Sequence, residues 1–333
     1  MVKKKRKITT GEIRDITNKL DKIIEYYKEK YREDKSEKDW RTYEQRRTLR
    51  MKRAGKELKA LLDKAAEGIE IIKDNNRGRK PKLTAKDKAL IILIKEIFDL
   101  SNRELADMIF IFSLMAGVDV SYKTIERAYD DELVRLILHN LFMLMVKEKL
   151  IDDVDLAGDG TGYSLSIKKH YADVKDEGKQ RKDFVYYFAL LDLRTNLYVG
   201  YGYSKRSERD AFDKAMKIMS KLGINVKSVR LDRYYSSNAV VKEYFDGKDV
   251  KLYLIPKKNA SVKGCAKWKE VMQSFADDVY GFLREYFKRN RVESMFSFDK
   301  RRFSSRLRVR KDERIATSLL ARTVLHNLFW FYG

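Results

Sequence analysis

The hydrophobic pattern changes near residue 151, and this change constrains the fold more than any other feature of the sequence. Residues 84–150 repeat apolar side chains at helical spacing. After residue 151, three β-rich runs come first, and helical and β-rich segments then alternate in the order β-β-β-α-β-α-β-α. A meander followed by α/β crossovers predicts one mixed sheet that is flanked by helices. We therefore expect an α/β domain over residues 151–333, behind an all-α region.

The N-terminal region, residues 1–75, is predicted to be helical and basic. Apolar residues recur there at alternating spacings of three and four, which makes a seam along a charged helix; they are Ile13, Ile16, Leu20, Ile23 and Tyr27. A basic stretch follows at residues 41–56. The pattern favours a helical hairpin or coiled-coil segment with a solvated face. A role in dimerisation or in gripping DNA is the alternative.

A break follows at residues 74–83, where Gly78, Pro81 and four cations interrupt the helical pattern. This composition predicts a linker. The triplet Arg77-Gly78-Arg79 also resembles the short arms that some proteins lay into an AT-rich minor groove. Arg77 and Arg79 are therefore candidate DNA contacts, and a plain solvated linker is the alternative.

Residues 76–150 are predicted to form a DNA-binding domain of the helix-turn-helix type. Two helix starts in this region have capping-box spacing, Thr84 with Asp87 and Ser101 with Glu104. A turn separates the second helix from a short third helix with polar side chains. The candidate DNA contacts on this short helix are Tyr122, Lys123 and Arg127. The alternative is an ordinary three-helix bundle.

The chain carries a formal net charge of +23, from 73 Lys and Arg against 50 Asp and Glu. Such a field attracts polyanions, and nucleic acid is favoured because phosphate contacts supply affinity that is independent of sequence. A ribosomal or membrane-surface protein would also be basic. Cys265 is the only cysteine, so no internal disulfide is expected and a reducing cytoplasmic compartment fits. No signal peptide and no membrane span are expected from the apolar runs.

A stripe of four residues stands out in the segment 286–300. At roughly 100° per residue, a helix would place them within about 60° of one another. The four residues are Tyr286, Arg289, Glu293 and Lys300. A carboxylate beside these side chains could hold a divalent metal while its neighbours bind phosphate oxygens. An amphipathic surface helix with scattered charges is the alternative.

Two more acids are expected to join Glu293. Asp159 lies in a β-rich run between two glycines, which leave room for a backbone or a phosphate to approach. Asp232 ends the fourth predicted strand, and functional groups in open α/β sheets gather beyond the carboxyl ends of the strands. Three carboxylates are hard oxygen ligands for Mg²⁺ or Mn²⁺, and two ions about 4 Å apart can serve in-line displacement at phosphorus. Among 50 acids, an aspartate after a strand also occurs easily by chance.

At these residues the chain resembles the DDE transposases of prokaryotic insertion sequences. The segments LAGDGTGY and RLDRYYSSN resemble the two aspartate motifs of that family. The family signature Tyr-(2)-Arg-(3)-Glu-(6)-Lys is reproduced at Tyr286, Arg289, Glu293 and Lys300. The resemblance covers about residue 152 to the end, and residues 84–150 are similar to the family's DNA-binding part. The gap between Asp232 and Glu293 leaves no room for the large β-rich insertion that some relatives carry.

The resemblance implies an RNase H-like catalytic domain that cleaves DNA at the ends of an element and joins the freed 3′-OH to a target. Asp159, Asp232 and Glu293 would be the catalytic residues and would hold Mg²⁺ or Mn²⁺, in two sites. The phosphates of the element end would be contacted by Tyr286, Arg289 and Lys300. The implied partners are double-stranded DNA, at terminal inverted repeats and at the target, and a second copy of the chain in a homodimer on DNA. The implied location is the cytoplasm of a prokaryote, without a membrane.

Two alternatives to a transposase stay open at this point. An RNase H-like, structure-specific nuclease of the resolvase kind would use the same acids, although a long DNA-binding N-terminal half argues against it. A non-catalytic DNA-binding protein derived from a transposase would be equally basic, although the intact set of carboxylates weighs against it.

Overall fold

The computed structural model describes residues 7–30, 39–69, 83–116, 120–149, 153–165 and 184–332. The predicted linker with Arg77 and Arg79 lies outside these residues. Seven helices precede the first strand in the described part: α1 (Thr10–Asn18), α2 (Leu20–Lys30), α3 (Trp40–Ala66), α4 (Ala85–Phe98), α5 (Asn102–Ala116), α6 (Tyr122–Ala128) and α7 (Glu132–Lys149).

Strands and helices alternate after α7, as the pattern predicts. The strands are β1 (Val154–Leu165), β2 (Phe184–Asp192), β3 (Tyr198–Ser204), β4 (Val226–Leu231), β5 (Lys251–Tyr253) and β6 (Arg306–Leu307). The helices are α8 (Glu208–Ser220), α9 (Asn238–Tyr244), α10 (Ala266–Asp277), α11 (Val279–Tyr286), α12 (Asn290–Phe303) and α13 (Asp312–Phe331). Two 3₁₀ turns occur at Arg233–Tyr235 and Phe287–Arg289.

The strands form one mixed sheet in the order β3-β2-β1-β4-β5, with β6 paired to β1. The first three strands are antiparallel neighbours, whereas β4 is parallel to β1 and β5 is parallel to β4. The expected α/β class is therefore confirmed, with a mixed sheet, flanking helices and an N-terminal helical region, as in an RNase H-like fold. β1 lies at the centre of the sheet, and its register with β4 places Gly158 opposite Leu231.

Helix α13 joins the N-terminal helices to the sheet. It is buried on all sides and packs against α3, α4, α7 and β3. Its Asn327 pairs with the backbone of Tyr198 in β3, accepting from the amide at 2.8 Å and donating to the carbonyl at 2.9 Å. One hydrophobic core therefore runs across the boundary predicted at residue 151. The three predicted domains stay a prediction.

The region predicted to be of the helix-turn-helix type has a small core of its own, formed by Leu83, Leu105, Val120 and Ile125. Both predicted capping boxes are confirmed at Thr84 and Ser101. The apolar seam of α1 and α2 packs against the main core, with Ile13 and Leu20 buried, and α1 contacts α10. The seam therefore packs against other parts of the same chain.

Candidate active site

Asp159 lies within the central strand β1, where two glycines make space for its surroundings. A Cβ at Gly158 would lie 2.6 Å from a methyl of Leu231 and 2.9 Å from one of Leu190, so a larger residue would displace these buried side chains. The Oδ1 atom of Asp159 accepts from the Gly160 amide at 2.9 Å. This bond fixes the carboxylate and leaves Oδ2 for another partner.

Asp232 follows β4 directly, as predicted, and begins the turn Arg233–Tyr235. Its Oδ1 atom accepts from the Tyr234 amide at 2.8 Å, which caps the turn. Gly158 in β1 lies opposite Leu231, the last residue of the parallel strand β4. The next residue along the chain is Asp159 after Gly158 and Asp232 after Leu231. The sheet therefore brings the two aspartates to one place.

The guanidinium of Arg289 lies between all three predicted acids. Its Nη1 atom is 2.8 Å from Asp159 Oδ2, and its Nη2 atom is 3.0 Å from Glu293 Oε1 and 3.6 Å from Asp232 Oδ2. Glu293 is the most exposed of the acids, with 52% of its side chain accessible, and Asp159 the least, with 15%. The arrangement is a cation held by three carboxylates from three separate elements, open to solvent on the side of Glu293.

The three acids carry more charge than Arg289 can neutralise. Burial raises the pKa of Asp159 to about 6, and the nearby carboxylates of Glu293 and Asp232 add to the rise. Arg289 and the Gly160 amide oppose this shift without cancelling it. The site therefore favours a further positive charge, either a proton or a cation.

The straight helix assumed for the segment 286–300 is wrong. Helix α11 ends at Tyr286, the turn Phe287–Arg289 intervenes, and α12 begins at Asn290. The carbonyl of Glu285, at the end of α11, accepts from Arg230 Nε at 2.8 Å, so a side chain from β4 engages the backbone where the helix ends. The turn lets Arg289 reach between the acids.

The other residues of the signature lie close to this group. Tyr286 is buried, and its ring centroid is 5.8 Å from the Arg289 guanidinium carbon. Lys300 donates to the Thr161 hydroxyl on β1 at 2.6 Å, and burial lowers the pKa of its ammonium group. All four residues of the signature therefore lie around β1. They do not share one face of a continuous helix, as the sequence pattern had suggested.

A hydrogen-bonded network inside the core fixes α12. Asp299 is buried and accepts from the Tyr198 hydroxyl at 2.8 Å, while its other oxygen lies 2.8 Å from His326 Nδ1. The second ring nitrogen of His326 lies 2.8 Å from the Asn196 carbonyl. Helix α12 is thereby tied to β3 and α13, which sets the position of Glu293.

Glu208 and Tyr235 are site residues that the sequence did not reveal. Glu208 is the first residue of α8, and its carboxylate lies against Gly160, where a Cβ would collide with it. It accepts from the Tyr235 hydroxyl at 2.7 Å. Burial and then Glu208 raise the pKa of Tyr235, so the phenol stays protonated as a donor. The one hint in the sequence was Gly160, whose lack of a side chain makes room for Glu208.

The predicted DNA contacts on α6 are exposed at Tyr122, Lys123 and Arg127. The opposite face of α6 is buried through Ile125 and Ala128. Glu126 and the nearby Asp130 both bind Arg314 of α13, which holds α6 against the C-terminal helix. The candidates Arg77 and Arg79 lie outside the described residues.

Carboxylate oxygens suit Mg²⁺ or Mn²⁺ by their chemistry. In the part of the chain that the structure describes, no three His, Cys, Asp or Glu side chains are already arranged to hold a metal ion. The reason at Asp159, Asp232 and Glu293 is the Arg289 guanidinium, which occupies the space between them. The donor set fits a divalent cation, provided that Arg289 moves.

Two comparisons with known proteins found matches. A family model described as Transposase DDE domain matches residues 149–328. The chain is 38% identical over 324 residues to the probable transposase for insertion sequence element ISA1214 of Archaeoglobus fulgidus, and the alignment covers 97% of each chain. No solved structure matches. Among the described residues, no helix is long and apolar enough to cross a membrane.

Proposed function

The chain belongs to the DDE transposase family, and on that premise we propose that it cleaves DNA strands at the ends of an insertion sequence and transfers them into target DNA. The observation that carries the proposal is the meeting of three carboxylates from β1, the end of β4 and α12 around one guanidinium. Acids from three distant parts of the chain converge at an open edge, in a strongly basic protein.

The carboxylates of Asp159, Asp232 and Glu293 are the proposed ligands of Mg²⁺ or Mn²⁺, in two sites. Divalent ions bound there would activate the attacking oxygen and stabilise the leaving oxygen of an in-line displacement at phosphorus. Asp159 and Asp232 are held by hydrogen bonds through Oδ1, so each keeps Oδ2 for a cation. Glu293 reaches the same place from the solvent side.

Arg289 and Lys300 are the proposed contacts to the phosphates at the cleavage site. The carboxylate oxygens that hold Arg289 are the same oxygens that would hold a metal ion, so the two cations compete for them. A DNA phosphate is, like the carboxylates, an anion, and it can accept two hydrogen bonds from the Arg289 guanidinium. Exchange of carboxylates for phosphate would therefore prepare the site when DNA binds. Lys300 on Thr161 and Tyr286 beside Arg289 border the same space.

DNA is also the proposed partner of α6 and of the linker. Tyr122, Lys123 and Arg127 present one exposed face, and Arg77 and Arg79 precede α4 in sequence. We propose that these residues read the terminal inverted repeats. Two element ends must be brought together for transfer, so we propose a homodimer on DNA.

Supercoiled plasmid DNA carrying the element ends tests the proposal. Wild-type protein should nick and then join the ends when Mg²⁺ or Mn²⁺ is added, and Glu293→Gln should lower the nicking rate on the order of 10³-fold or more. Glu148→Gln, at an exposed acid of α7, is the matched control and should cleave like wild type.

Each of the other outcomes would point to a different activity or a different role for Glu293. Cleavage without joining would make it a nuclease of the resolvase kind. Tight, salt-sensitive binding of the ends without cleavage in wild type would make it a non-catalytic DNA-binding protein. Full activity in Glu293→Gln would remove the catalytic role from Glu293.

A further inference from the structure

Four arginines lie where α3, α12 and α13 meet, away from the carboxylates. The guanidinium carbon of Arg50 is 4.5 Å from the ring centroid of Trp330, and that of Arg291 is 5.9 Å from the same centroid. The guanidinium carbon of Arg302 is 5.2 Å from the centroid of Phe329, the preceding residue of α13. Arg47 lies one turn before Arg50 on α3. We call the group Arg47, Arg50, Arg291 and Arg302 the arginine platform.

The arginine platform has more donors than acceptors. Arg47 pairs with Glu44 at 3.0 Å, and Arg291 Nε donates to Asn196 Oδ1 at 2.7 Å. No carboxylate lies within ion-pair distance of Arg50, Arg291 or Arg302 among the described residues. Within the same part of the chain, the buried Arg302 Nε and Trp330 Nε1 have no hydrogen-bond acceptor. Other arginines of this protein, such as Arg209 and Arg314, each bind two acids.

Like charges are also close to one another in the platform. Burial lowers the pKa of Arg50, and the neighbouring Arg47 and Arg291 lower it further. Burial and then Arg47 lower the pKa of Arg302 in the same direction. Stacking on the two aromatic rings favours each guanidinium group, but the neighbouring groups repel one another, and an anion with several oxygens would relieve that repulsion.

The platform adjoins the exposed face of the helix that carries Glu293. Residues 291 and 302 are eleven apart, which is three helical turns, so both point to the same side of α12. Between that side and Glu293 lies an exposed strip of small and polar residues that includes Asn290, Ser294 and Ser297. A groove of about 390 Å³ opens there, lined by Leu193, Phe287, Lys288, Asn290, Arg291 and Ser294.

We propose that the arginine platform binds the phosphate backbone of duplex DNA, independently of sequence, and holds the duplex across the exposed face of α12. The partner follows from the proposed function, which places a phosphodiester at Glu293. Short hydroxyl and amide side chains on the strip let a backbone approach and can donate to phosphates. The platform is separate from Arg289 and Lys300, which face β1.

The test measures binding of full-length protein to a labelled duplex of random sequence, by fluorescence anisotropy at several salt concentrations in EDTA. The double variant Arg50→Gln/Arg291→Gln should lose about tenfold in affinity near 0.1 M salt, and the slope of log K against log salt should fall by about 2. The matched control, Lys242→Gln/Lys269→Gln, removes the same charge from exposed positions of α9 and α10 and should keep the slope. The charge-conserving double variant Arg50→Lys/Arg291→Lys should keep most of the wild-type affinity and slope.

Three outcomes would overturn the proposal. In the first, the double variant binds with wild-type affinity and slope while melting at the wild-type temperature. In the second, the control loses as much as the double variant, so that only net charge matters. In the third, the double variant binds DNA normally but sediments as a smaller species, which would make the platform an interface with an acidic protein surface or a second copy.

The binding assay needs no strand cleavage, so it separates this proposal from the proposed function. If wild type fails to cleave but the platform variants still lose affinity, only the catalytic proposal fails. If cleavage is metal-dependent but the slope is unchanged, only the platform fails.

Discussion

Among the sites where an arginine of this protein meets carboxylates, those of Arg322 and Arg289 are built in opposite ways. Arg322 of α13 is bound by one acid, Glu96 of α4, at 2.7 Å, and both side chains are 4% exposed. The other two terminal nitrogens of Arg322 donate to the carbonyls of Ser304 and Arg306. Arg289 instead faces three acids that range from 15% to 52% exposed.

The two sites differ in how completely their hydrogen-bonding groups are used. Glu96 accepts from Tyr129, Ser318 and Arg322, so its charge is balanced and enclosed. Around Arg289 the acids are in excess, and its own buried Nε has no acceptor among the described residues. The balanced site fixes α4 to α13. The unbalanced site has the charge to take up a further cation and is open to solvent on the side of Glu293.

The two sites are near one another in space and share a neighbouring side chain. Lys300 Nζ is 5.5 Å and the Arg322 guanidinium carbon 5.4 Å from the ring centroid of Tyr163, which is buried between the two cations. Variants at either site therefore report on the same part of the sheet.

The largest effect on stability is expected at the enclosed site. Glu96→Gln would leave Arg322 buried without its counter-charge and should lower the free energy of unfolding by about 3–5 kcal/mol. Urea unfolding at pH 7 measures this loss. Although burial alone would raise the pKa of Glu96, Arg322 and Lys95 lower it, so wild type should also lose this contribution as acidification protonates Glu96. A loss below about 1 kcal/mol would contradict the contrast between the two sites.

The open site should respond to pH in the opposite sense. The pKa of Asp159 is about 6 in the folded protein, above its usual 3.8, so the folded state binds more protons between these values. Metal-free wild type should therefore lose stability as pH rises from about 4 to about 7 at this site. Asp159→Asn removes that cost and should be more stable than wild type by about 2 kcal/mol at pH 7.5.

Paired unfolding curves in EDTA check the sign of this difference. The difference between Asp159→Asn and wild type should shrink toward zero below about pH 3, where the Asp159 carboxyl is protonated in both the folded and the unfolded state. A variant that is less stable than wild type at pH 7.5 would show that Asp159 is a structural acid like Glu96.

A smaller effect is expected at the hydrogen bond between Glu208 and Tyr235. This bond ties the turn after Asp232 to α8 beside Gly160, so it positions Asp232 relative to Asp159. Glu208→Gln should lower the nicking rate at saturating DNA about tenfold, with DNA affinity unchanged. Tyr235→Phe should do the same, and the double variant should lose no more than either alone. Additive losses would show that the two residues act separately.

Much of this site could be predicted because it depends on strand ends and helix starts. The two predicted capping boxes mark the starts of α4 and α5. Asp232 follows a strand parallel to that of Asp159, and parallel strands bring their carboxyl ends to one edge. Glu293 joins them through a late helix, as expected from its four-residue signature.

The rest depends on contacts between elements that are distant in sequence. The helix break before Arg289 involves a side chain of β4, and Glu208 reaches Gly160 from a different strand connection. Neither produces a periodicity or a motif. The platform arginines were likewise visible only as a basic stretch and as scattered cations, because Trp330 and Phe329 gather them in three dimensions.

The substitution Asp232→Cys tests most directly whether the open carboxylates bind a divalent metal for catalysis. A thiolate is a softer ligand than a carboxylate and binds Mn²⁺ better than Mg²⁺. We would measure nicking of element-end plasmid by wild type and variant in each metal. We expect the ratio of the Mn²⁺ rate to the Mg²⁺ rate to rise about tenfold or more in the variant. An unchanged ratio would contradict metal binding by Asp232.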